Sequence, residues 1–434
     1  MKNYPENTLE RPEGKQRLMI SVAACFFALD FLREGLGLIN PYIINILSLI
    51  LGLMLLLLAR KIVIRKKFFT VLVVIVFFSI LALINGVTKG FVDGYTFSYT
   101  FFKIVELTIV FVLASNMTRT HFAQLCNKLA TFFIFIHIPL FLYYLAAMAG
   151  IAPSVNRIVV FDSTRFAGLA GEPAQYGQMA FIVFIYLIFA NKEKPVSHFR
   201  LKLFTVFIFA CSSFSNAFFI PLIVLVGYYM VAGNKSSVTK KVIYILMGST
   251  LVGSFFLIND RLDINFDQIW FVIQNFKALK DVSFEGVGIN SITTRFFEVA
   301  YSTSLVNEYI GHGIGSAVNY PAFSGIREGI IGGDKVNFYG ISQLGYELGI
   351  IPALIFIFWV SRSFVKFKGD LLYKSSIASI LVAMFLINGL AFKLYWFTFI
   401  TILLIKKYPT VKRSVPSWGR LPGSAAIATQ ATFR

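Results

Sequence analysis

RFAGLAGEP, residues 165–173, places an arginine, two glycines and a glutamate directly before the apolar run AQYGQMAFIVFIYLIFA, residues 174–190. Proline suits the first turn of a helix, and a carboxylate is favoured at a helix N-terminus. The apolar run approaches the length of about twenty residues that crosses a hydrocarbon core. The stretch therefore predicts a membrane helix whose charged, flexible entrance lies at the polar interface.

The composition of the whole chain agrees with a membrane protein. Hydrophobic residues make up 57% and charged residues 14% of the 434 residues, and the mean hydropathy is +0.74. A net charge of +19 would suit nucleic-acid binding only if the basic residues shared one face, whereas here they fall between apolar segments. The charge therefore indicates membrane topology, and no nucleic acid is expected as a partner.

The apolar runs predict an all-α, polytopic fold with about twelve transmembrane helices in a single domain over residues 1–410. The predicted spans are 18–32, 41–59, 68–87, 99–114, 129–149, 174–190, 199–212, 215–232, 242–258, 342–360, 371–388 and 389–405. Residues 414–434 are small, polar and without periodicity, which indicates a disordered or vector-derived tail.

Lysine and arginine accumulate in every second connection between the predicted spans, as the positive-inside rule requires. This pattern predicts that both termini are cytoplasmic and that residues 150–173 and 259–341 face the outer compartment. The second of these connections is large enough to form a small outer domain with short helices. Chemistry is expected in these two outer segments.

Other chemical signals are weak. The cytoplasmic loops contain no Walker glycine loop, dinucleotide fingerprint or aspartate-rich motif that would hold an activated nucleotide. The three cysteines are far apart and predict neither a disulfide framework nor a zinc site. Asp260, Asp263 and Asp267 lack supporting ligands and are expected to be a solvated surface. No cofactor and no metal site are therefore predicted.

The RFAGLAGEP stretch supplies the first candidate site residues. Gly168 and Gly171 allow the backbone to approach a ligand, and the Arg165 guanidinium would meet a lipid headgroup at the interface. Glu172 enters the helix beside them. The alternative is a structural loop in which Glu172 caps the helix and Arg165 extends to the membrane surface.

The large outer segment supplies the second set. SITTRFFEVAYSTSLVNEYIG, residues 291–311, has one apolar stripe at helical spacing, with Arg295 and Glu298 together on its flank. Such a helix would present Arg295 towards a cavity, or it would carry only a surface ion pair.

GHGIGS, residues 311–316, follows that helix. Gly313 and Gly315 permit close backbone approach to a ligand or a sharp return to the membrane, and His312 is a base near neutral pH or a loop histidine with no role. Within the membrane, Lys103 and Glu106 stand three residues apart, which indicates a functional site or a mutually satisfied pair.

Four motifs in order carry a resemblance to a known family. They are an Arg-x-x-Gly-x-x-x-Glu-Pro entry (RFAGLAGEP), a Ser-x-x-x-Arg helix (SITTRFFE), IGHGIGS, and a Gly-x-Glu-x-Gly entry to the next span (LGYELGIIPALI). Together they resemble the O-antigen polymerase family, Wzy, which groups with the O-antigen ligases among polytopic C-type glycosyltransferases. The resemblance covers the span plan of residues 1 to about 410.

The resemblance implies polymerisation of undecaprenyl-pyrophosphate-linked repeat units at the periplasmic face of the bacterial inner membrane. By motif position, Arg165 and Arg295 would hold the donor pyrophosphate without a metal, because a guanidinium fork stabilises the departing charge. A lipid-linked donor and acceptor, membrane lipids and a chain-length regulator would be the partners. Glu172, Glu298 and His312 are the candidate bases, and Asn337 is a candidate substrate contact.

Two alternatives stay open. The related ligases often carry a histidine before an asparagine near the end of the large loop, and this chain has Val336 before Asn337, which weakens the ligase interpretation. A lipid-linked oligosaccharide flippase also has about twelve spans. A flippase needs charged residues along a central path, whereas the candidates here are concentrated outside.

The predicted topology has a direct test. Cysteines introduced at Ser154 and Ser324 should react with an impermeant thiol reagent in intact spheroplasts, and a cysteine at Ser363 should not, because only the first two lie in predicted outer segments. Labelling confined to position 363 would reverse the inside and outside assignment.

Overall fold

The structure is a computed structural model of the chain. It describes residues 13–32, 41–59, 64, 66–90, 92–153, 160–161, 165–170, 172–233, 270, 274, 302–303, 306, 308–316, 340–387 and 393–405. Most of these residues are helical, which confirms the predicted helical class. The predicted span at 242–258, most of the predicted outer loop at 259–341 and the tail at 414–434 lie outside the described residues.

Eight helices precede residues 259–341, the predicted outer segment, in the described part of the chain. They are α1 (Glu13–Leu32), α2 (Pro41–Leu58), α3 (Lys66–Thr88), α4 (Gly94–Asn116), α5 (Arg119–Met148), α6 (Pro173–Glu193), α7 (Phe199–Ser212) and α8 (Asn216–Gly233). Between α5 and α6, strands β1 (Val160–Phe161) and β2 (Arg165–Phe166) pair antiparallel and precede a short 3-10 helix, Gly168–Ala170.

Further helices follow that segment. They are α9 (Gly340–Leu348), α10 (Ile350–Lys366), α11 (Leu371–Val382), which continues into a π-helical turn at Ala383–Ile387, and α12 (Lys393–Ile405). Asp93 and Asp370 lie at the N-termini of α4 and α11, where each carboxylate accepts a backbone N–H, from Thr96 at 2.7 Å and from Leu372 at 2.9 Å. Such N-caps satisfy donors that a helix start leaves without partners.

The chain is a membrane protein by the length and composition of its helices. Four described helices are long and apolar enough to cross a membrane: Phe68–Thr88, Thr96–Asn116, Arg119–Met148 and Pro173–Glu193. Shorter apolar helices cover Ile43–Leu58, Asn216–Ala232, Leu371–Phe385 and Lys393–Leu404. These helices fall on predicted spans.

Helix α6, the helix after RFAGLAGEP, lies at the centre of the bundle. Within its apolar window 78% of the residues are buried inside the protein, compared with 22% for α3. Tyr186 of α6 packs edge-on against Phe122 of α5, and its hydroxyl lies 2.8 Å from the Thr398 hydroxyl of α12. Helix α3, in contrast, leaves apolar side chains such as Phe77 and Ile84 exposed, as a helix facing lipid does.

The predicted single span at 342–360 is wrong in one respect, because the chain forms two helices there. Helix α9 ends at Leu348, and α10 begins at Ile350. Between them Gly349 has φ +105°, a conformation that only glycine adopts readily. A break of this kind removes intrahelical partners from backbone groups on both sides, and each such group is costly to bury in an apolar bundle.

The segment Glu308–Gly313 supplies the missing partners, and we call this arrangement the interlock. Two N–H groups after the break donate to the segment, and two N–H groups of the segment donate to carbonyls before the break. The four hydrogen bonds are Ile350 N to Glu308 O (3.0 Å), Ile351 N to Tyr309 O (3.4 Å), His312 N to Tyr346 O (3.2 Å) and Gly313 N to Glu347 O (2.9 Å).

Glycines make this close backbone approach possible. A Cβ on Gly349 would lie 2.4 Å from the Tyr309 carbonyl oxygen, and a Cβ on Gly311 would lie 2.5 Å from the Glu347 carbonyl. On the other side of the segment, a Cβ on Gly86 of α3 would lie 2.1 Å from the His312 carbonyl oxygen. These glycines are therefore required by contacts of the chain with itself.

Substitution of Gly349 tests the interlock. Gly349→Ala should lower the free energy of unfolding by about 1–3 kcal/mol, because the substitution adds strain at positive φ and a clash with the facing carbonyl. Thermal unfolding of the purified protein in detergent measures the change. Gly227→Ala in α8 is the matched control, since its Cβ would meet no atom within 4 Å and alanine favours a helix. Equal melting temperatures for the two variants would contradict the interlock.

Candidate functional site

A partly open cavity of about 290 Å³ lies between α3, α4, α9, α10 and α12. Its walls are mainly apolar, with Ile355 on α10 43% exposed at its edge. Five of its lining side chains are charged or carry an amide: Lys103, Glu106, Gln343, Glu347 and Lys393. Ligand sites typically combine apolar walls with a few converging polar groups, so the cavity is the candidate functional site.

Charged residues from three helices meet at one wall of the cavity. Lys393 at the start of α12 donates to the Ser48 hydroxyl of α2 at 2.6 Å and lies 3.3 Å from Asp30 of α1 and 3.5 Å from Glu106 of α4. Lys103 donates to the other oxygen of Glu106 at 2.9 Å. We call Asp30, Lys103, Glu106 and Lys393 the charge cluster.

The charge cluster is almost inaccessible, since the exposed fraction of each residue is 8% or less. Two cations and two carboxylates balance, which is the condition for keeping charges in a low-dielectric interior. Asp30 also accepts the backbone N–H of Leu394 at 3.0 Å and so satisfies a donor in the first turn of α12. The cluster therefore holds the beginning of α12 inside the bundle.

The sequence analysis identified Lys103 and Glu106 but missed Asp30 and Lys393. The structure confirms the pair and adds a second cation that shares the same carboxylate. Asp30 and Lys393 each lie within a predicted span, and an intramembrane charge is a functional candidate by default. Their charge within an apolar run could therefore have identified both residues. Their contact could not be predicted, because the two residues lie far apart in the sequence.

Glu347 forms a second polar group in the cavity wall. Its carboxylate is buried, accepts a hydrogen bond from the Gln343 side-chain nitrogen at 3.0 Å and accepts another from the Gly315 backbone N–H. Gln343 and Glu347 stand four residues apart on the same face of α9. The side-chain oxygen of Gln343 is buried and has no hydrogen-bond partner. Within the described part of the protein this acceptor is therefore left without a donor.

Arg165 makes contacts away from the cavity. Its Nε donates to the Ser213 carbonyl at 3.0 Å, and its Nη2 donates to the Phe214 carbonyl at 3.2 Å. Both acceptors lie in the turn between α7 and α8, where Phe214 has φ +45°. The guanidinium fork therefore ties the RFAGLAGEP stretch to that turn. No residue of 165–173 lines the cavity among the described residues.

The other residues of the RFAGLAGEP stretch take different positions. Gly168 has φ +55°, and a Cβ there would lie 2.7 Å from ring carbons of His137 and Tyr176, so the glycine packs against the protein's own aromatic side chains. Glu172 is exposed at the N-cap position of α6, and its side chain makes no capping hydrogen bond. Gly171 lies outside the described residues.

The GHGIGS residues all take part in packing beside the cavity. His312 is buried and stacks on Tyr346 with ring centroids 4.7 Å apart, and its Nδ1 lies 3.3 Å from the Tyr346 carbonyl. Gly313 and Gly315 both have positive φ, and a Cβ on Gly315 would lie 2.6 Å from the Tyr99 ring. Arg295, Glu298 and Asn337 lie outside the described residues, as do Asp260, Asp263 and Asp267.

Glu308 anchors the interlock to α3. Its carboxylate accepts hydrogen bonds from Lys89 at 2.6 Å and Asn85 at 3.1 Å, and it lies 3.4 Å from His312. Partial burial alone would raise the pKa of Glu308, but the hydrogen bonds from Lys89 and Asn85 and the charge of Lys89 outweigh it and hold that pKa below its ordinary value. The carboxylate is therefore charged at neutral pH.

The class of the protein has to be inferred from its own geometry, because the comparisons with known proteins found no match. No protein-family model, curated protein or solved structure matches the chain. Among the described residues, no three histidine, cysteine, aspartate or glutamate side chains are grouped so that they could hold a metal ion. The described part of the chain is thus a helical membrane protein with an apolar cavity that ends at buried charges.

A double-mutant cycle tests the charge cluster. Lys393→Met should lower the free energy of unfolding by about 3–5 kcal/mol, because it leaves the buried Asp30 carboxylate without its cation. Asp30→Asn with Lys393→Met should recover much of this loss, since the remaining pair of Lys103 and Glu106 is neutral. Denaturant unfolding in detergent measures both.

The exposed ion pair of Lys192 and Asp370, 2.6 Å apart, provides the control for this cycle. Lys192→Met should cost about 1 kcal/mol or less, because solvent screens such pairs. Strictly additive effects of Asp30→Asn and Lys393→Met would show that the two residues do not interact.

Proposed function

We propose that the protein is a glycosyltransferase that polymerises undecaprenyl-pyrophosphate-linked repeat units into O-antigen or a related surface polysaccharide. The cavity is the observation that carries this proposal. Its apolar walls on α3 and α10 suit a hydrocarbon chain, and its polar end at Lys103, Glu106 and Glu347 suits the reacting head of a lipid-linked sugar.

The chemistry explains why both surfaces are needed. The acceptor hydroxyl attacks the anomeric carbon of the donor, the bond from that carbon to the pyrophosphate oxygen breaks, and the negative charge on the pyrophosphate grows. Fixed cations stabilise that charge most effectively where water is excluded. Lys103 is such a cation within the cavity, and Arg165 and Arg295 are the guanidinium groups that the family resemblance assigns to this role.

The proposal requires Arg165 to act differently from the way it is held in the structure. Its fork donates to two backbone carbonyls of the α7–α8 turn, so binding of pyrophosphate would exchange those acceptors for phosphate oxygens. Carbonyls and phosphate oxygens are both suited to a planar guanidinium, and the charged acceptor forms the stronger hydrogen bond. The position of Arg295 lies outside the described residues.

The remaining parts of the proposal follow the sequence analysis. The protein would lie in the bacterial inner membrane with both termini in the cytoplasm, about twelve spans and its site facing the periplasm. Donor and acceptor would both be lipid-linked glycans, and a chain-length regulator would be a partner protein. An O-antigen ligase would use the same donor chemistry and differ only in its acceptor.

The charge cluster favours a second candidate, a lipid-linked oligosaccharide flippase. Buried, paired charges from α1, α4 and α12 are the feature that a transporter needs along its central path. The sequence analysis placed the candidate residues outside the membrane and gave little support to this alternative. The cluster therefore strengthens it, and the decisive experiment has to separate transport from polymerisation.

The glycan made by a clean deletion strain separates these functions. We expect lipopolysaccharide capped with single repeats, because repeats that reach the periplasm would still be ligated but would not be joined. Uncapped core with outward-facing repeats would identify a ligase. Uncapped core with repeats trapped on the cytoplasmic leaflet would identify a flippase.

Purified protein in proteoliposomes, supplied with lipid-linked repeats, tests the assigned chemistry. We expect chain growth that persists in excess chelator. Arg165→Lys should lower the rate about tenfold or more, because lysine keeps the charge and loses the fork. Its melting temperature, measured in parallel, separates the loss of the α7–α8 contact from the loss of catalysis. Activity that chelator abolishes and magnesium restores would contradict the metal-free mechanism.

A further inference from the structure

We propose that Glu347 and Gln343 form the binding site for the acceptor hydroxyl, and that Glu347 takes the proton of that hydroxyl as it attacks the donor. This inference rests on the proposed polymerase function. It assigns the acceptor-activating base that the sequence analysis left open among Glu172, Glu298 and His312.

The geometry of Glu347 fits a base that is held in place. Its carboxylate is buried at the cavity wall, and hydrogen bonds from Gln343 and from the Gly315 backbone fix its orientation. Lys103 lies close enough to interact with it electrostatically. An aligned carboxylate needs little reorganisation when it accepts a proton.

The unpartnered oxygen of Gln343 indicates what kind of group binds here. This atom is buried within the protein and accepts no hydrogen bond, although a buried acceptor without a partner is costly. It belongs to the same amide whose nitrogen donates to Glu347. An acceptor next to a carboxylate calls for a ligand with more than one donor, and adjacent hydroxyl groups of a sugar supply them.

The helix break fixes the position of Glu347. The residue lies one position before the end of α9, and its own backbone carbonyl accepts the Gly313 N–H of the interlock. The same break brings Gly315 against it through the interlock.

The three earlier candidates are placed less well for this role. Glu172 is exposed at the start of α6 and does not line the cavity, and His312 stacks on Tyr346 with its ring nitrogens directed at a backbone carbonyl and at Glu308. Glu298 lies outside the described residues. Glu347 alone among the four is a described carboxylate in the cavity wall.

The proposed glycosyl transfer needs no reagent other than the donor and the acceptor. The acceptor oxygen forms a bond to the anomeric carbon of the donor, the bond from that carbon to pyrophosphate breaks, and the electron pair leaves with the pyrophosphate. The hydroxyl proton passes to Glu347, which releases it to solvent after the products leave.

The experiment compares full-chain variants in proteoliposomes that contain lipid-linked repeats. Glu347→Gln keeps the shape and removes the base, so we expect kcat to fall about 100-fold or more, with unchanged binding of the lipid-linked donor. We also expect the acidic limb of the pH profile of kcat to disappear. Asp370→Asn, a carboxylate-to-amide change at the start of α11 outside the cavity, is the matched control and should retain wild-type kcat.

Other titratable groups could also shape the pH profile, so the loss of the acidic limb has to be specific to Glu347. These groups are Lys103 and Glu106 on α4, Tyr99 on α4, Lys393 on α12, and Glu308 and His312 in the interlock. Glu308→Gln should lower stability and leave the acidic limb in place. A pH profile that Glu347→Gln does not alter, or a kcat within threefold of wild type, would overturn the inference.

Two further variants keep the test decisive if Glu347→Gln fails to fold. Glu347→Asp retains a carboxylate one methylene further away and should lower kcat about tenfold while keeping the acidic limb. Gln343→Leu should raise the KM for the acceptor repeat and also lower kcat, because the Gln343 side chain both faces the acceptor and orients Glu347. Wild-type values for both variants would overturn the inference. Absence of chain growth by the wild-type protein would instead contradict the proposed function.

Discussion

The break between α9 and α10 depends on one constraint, which is that backbone N–H and C=O groups in an apolar bundle need partners. Within the described chain, the segment Glu308–Gly313 meets this need with four hydrogen bonds, two in each direction. The close approach explains the glycines on both sides, and Asn85 and Lys89 hold the same segment against α3. Several features of the cavity therefore follow from the break, including the position of Glu347 at a helix end and the contact of Gly315 with it.

A second constraint is charge balance within the bundle. Lys393 and Lys103 share the Glu106 carboxylate, and Asp30 contacts both the Lys393 side chain and the backbone of Leu394. The cluster thus joins the first helix described to the last helix described. It also sets the polarity of the cavity wall, because three of its members line the cavity.

Much of the helical architecture could be predicted from local sequence, because apolar runs and N-cap residues are properties of neighbouring positions. The break at Gly349 could not be predicted, since a glycine ends a helix there only because a distant segment replaces the lost hydrogen bonds. The candidate site likewise combines features that local sequence predicts with features that depend on distant contacts. Glu347 belongs to a motif that the sequence analysis quoted, yet its contacts with Gln343 and Gly315 depend on the fold and could not be predicted from that motif. The glycines of GHGIGS suggested a ligand, whereas Gly311 is required by backbone packing.

The parts of the interlock are also synthesised in a fixed order. Ribosomes make α3 and α4 first, then residues 308–316, and only afterwards the broken helix of α9 and α10. The backbone groups beside the break therefore leave the ribosome after their partners in Glu308–Gly313 have been synthesised, as Ile350 does after Glu308. A helix break inserted before its partners would bring bare amides into lipid. In this chain the direction of synthesis itself supplies partners before the break at Gly349 is made.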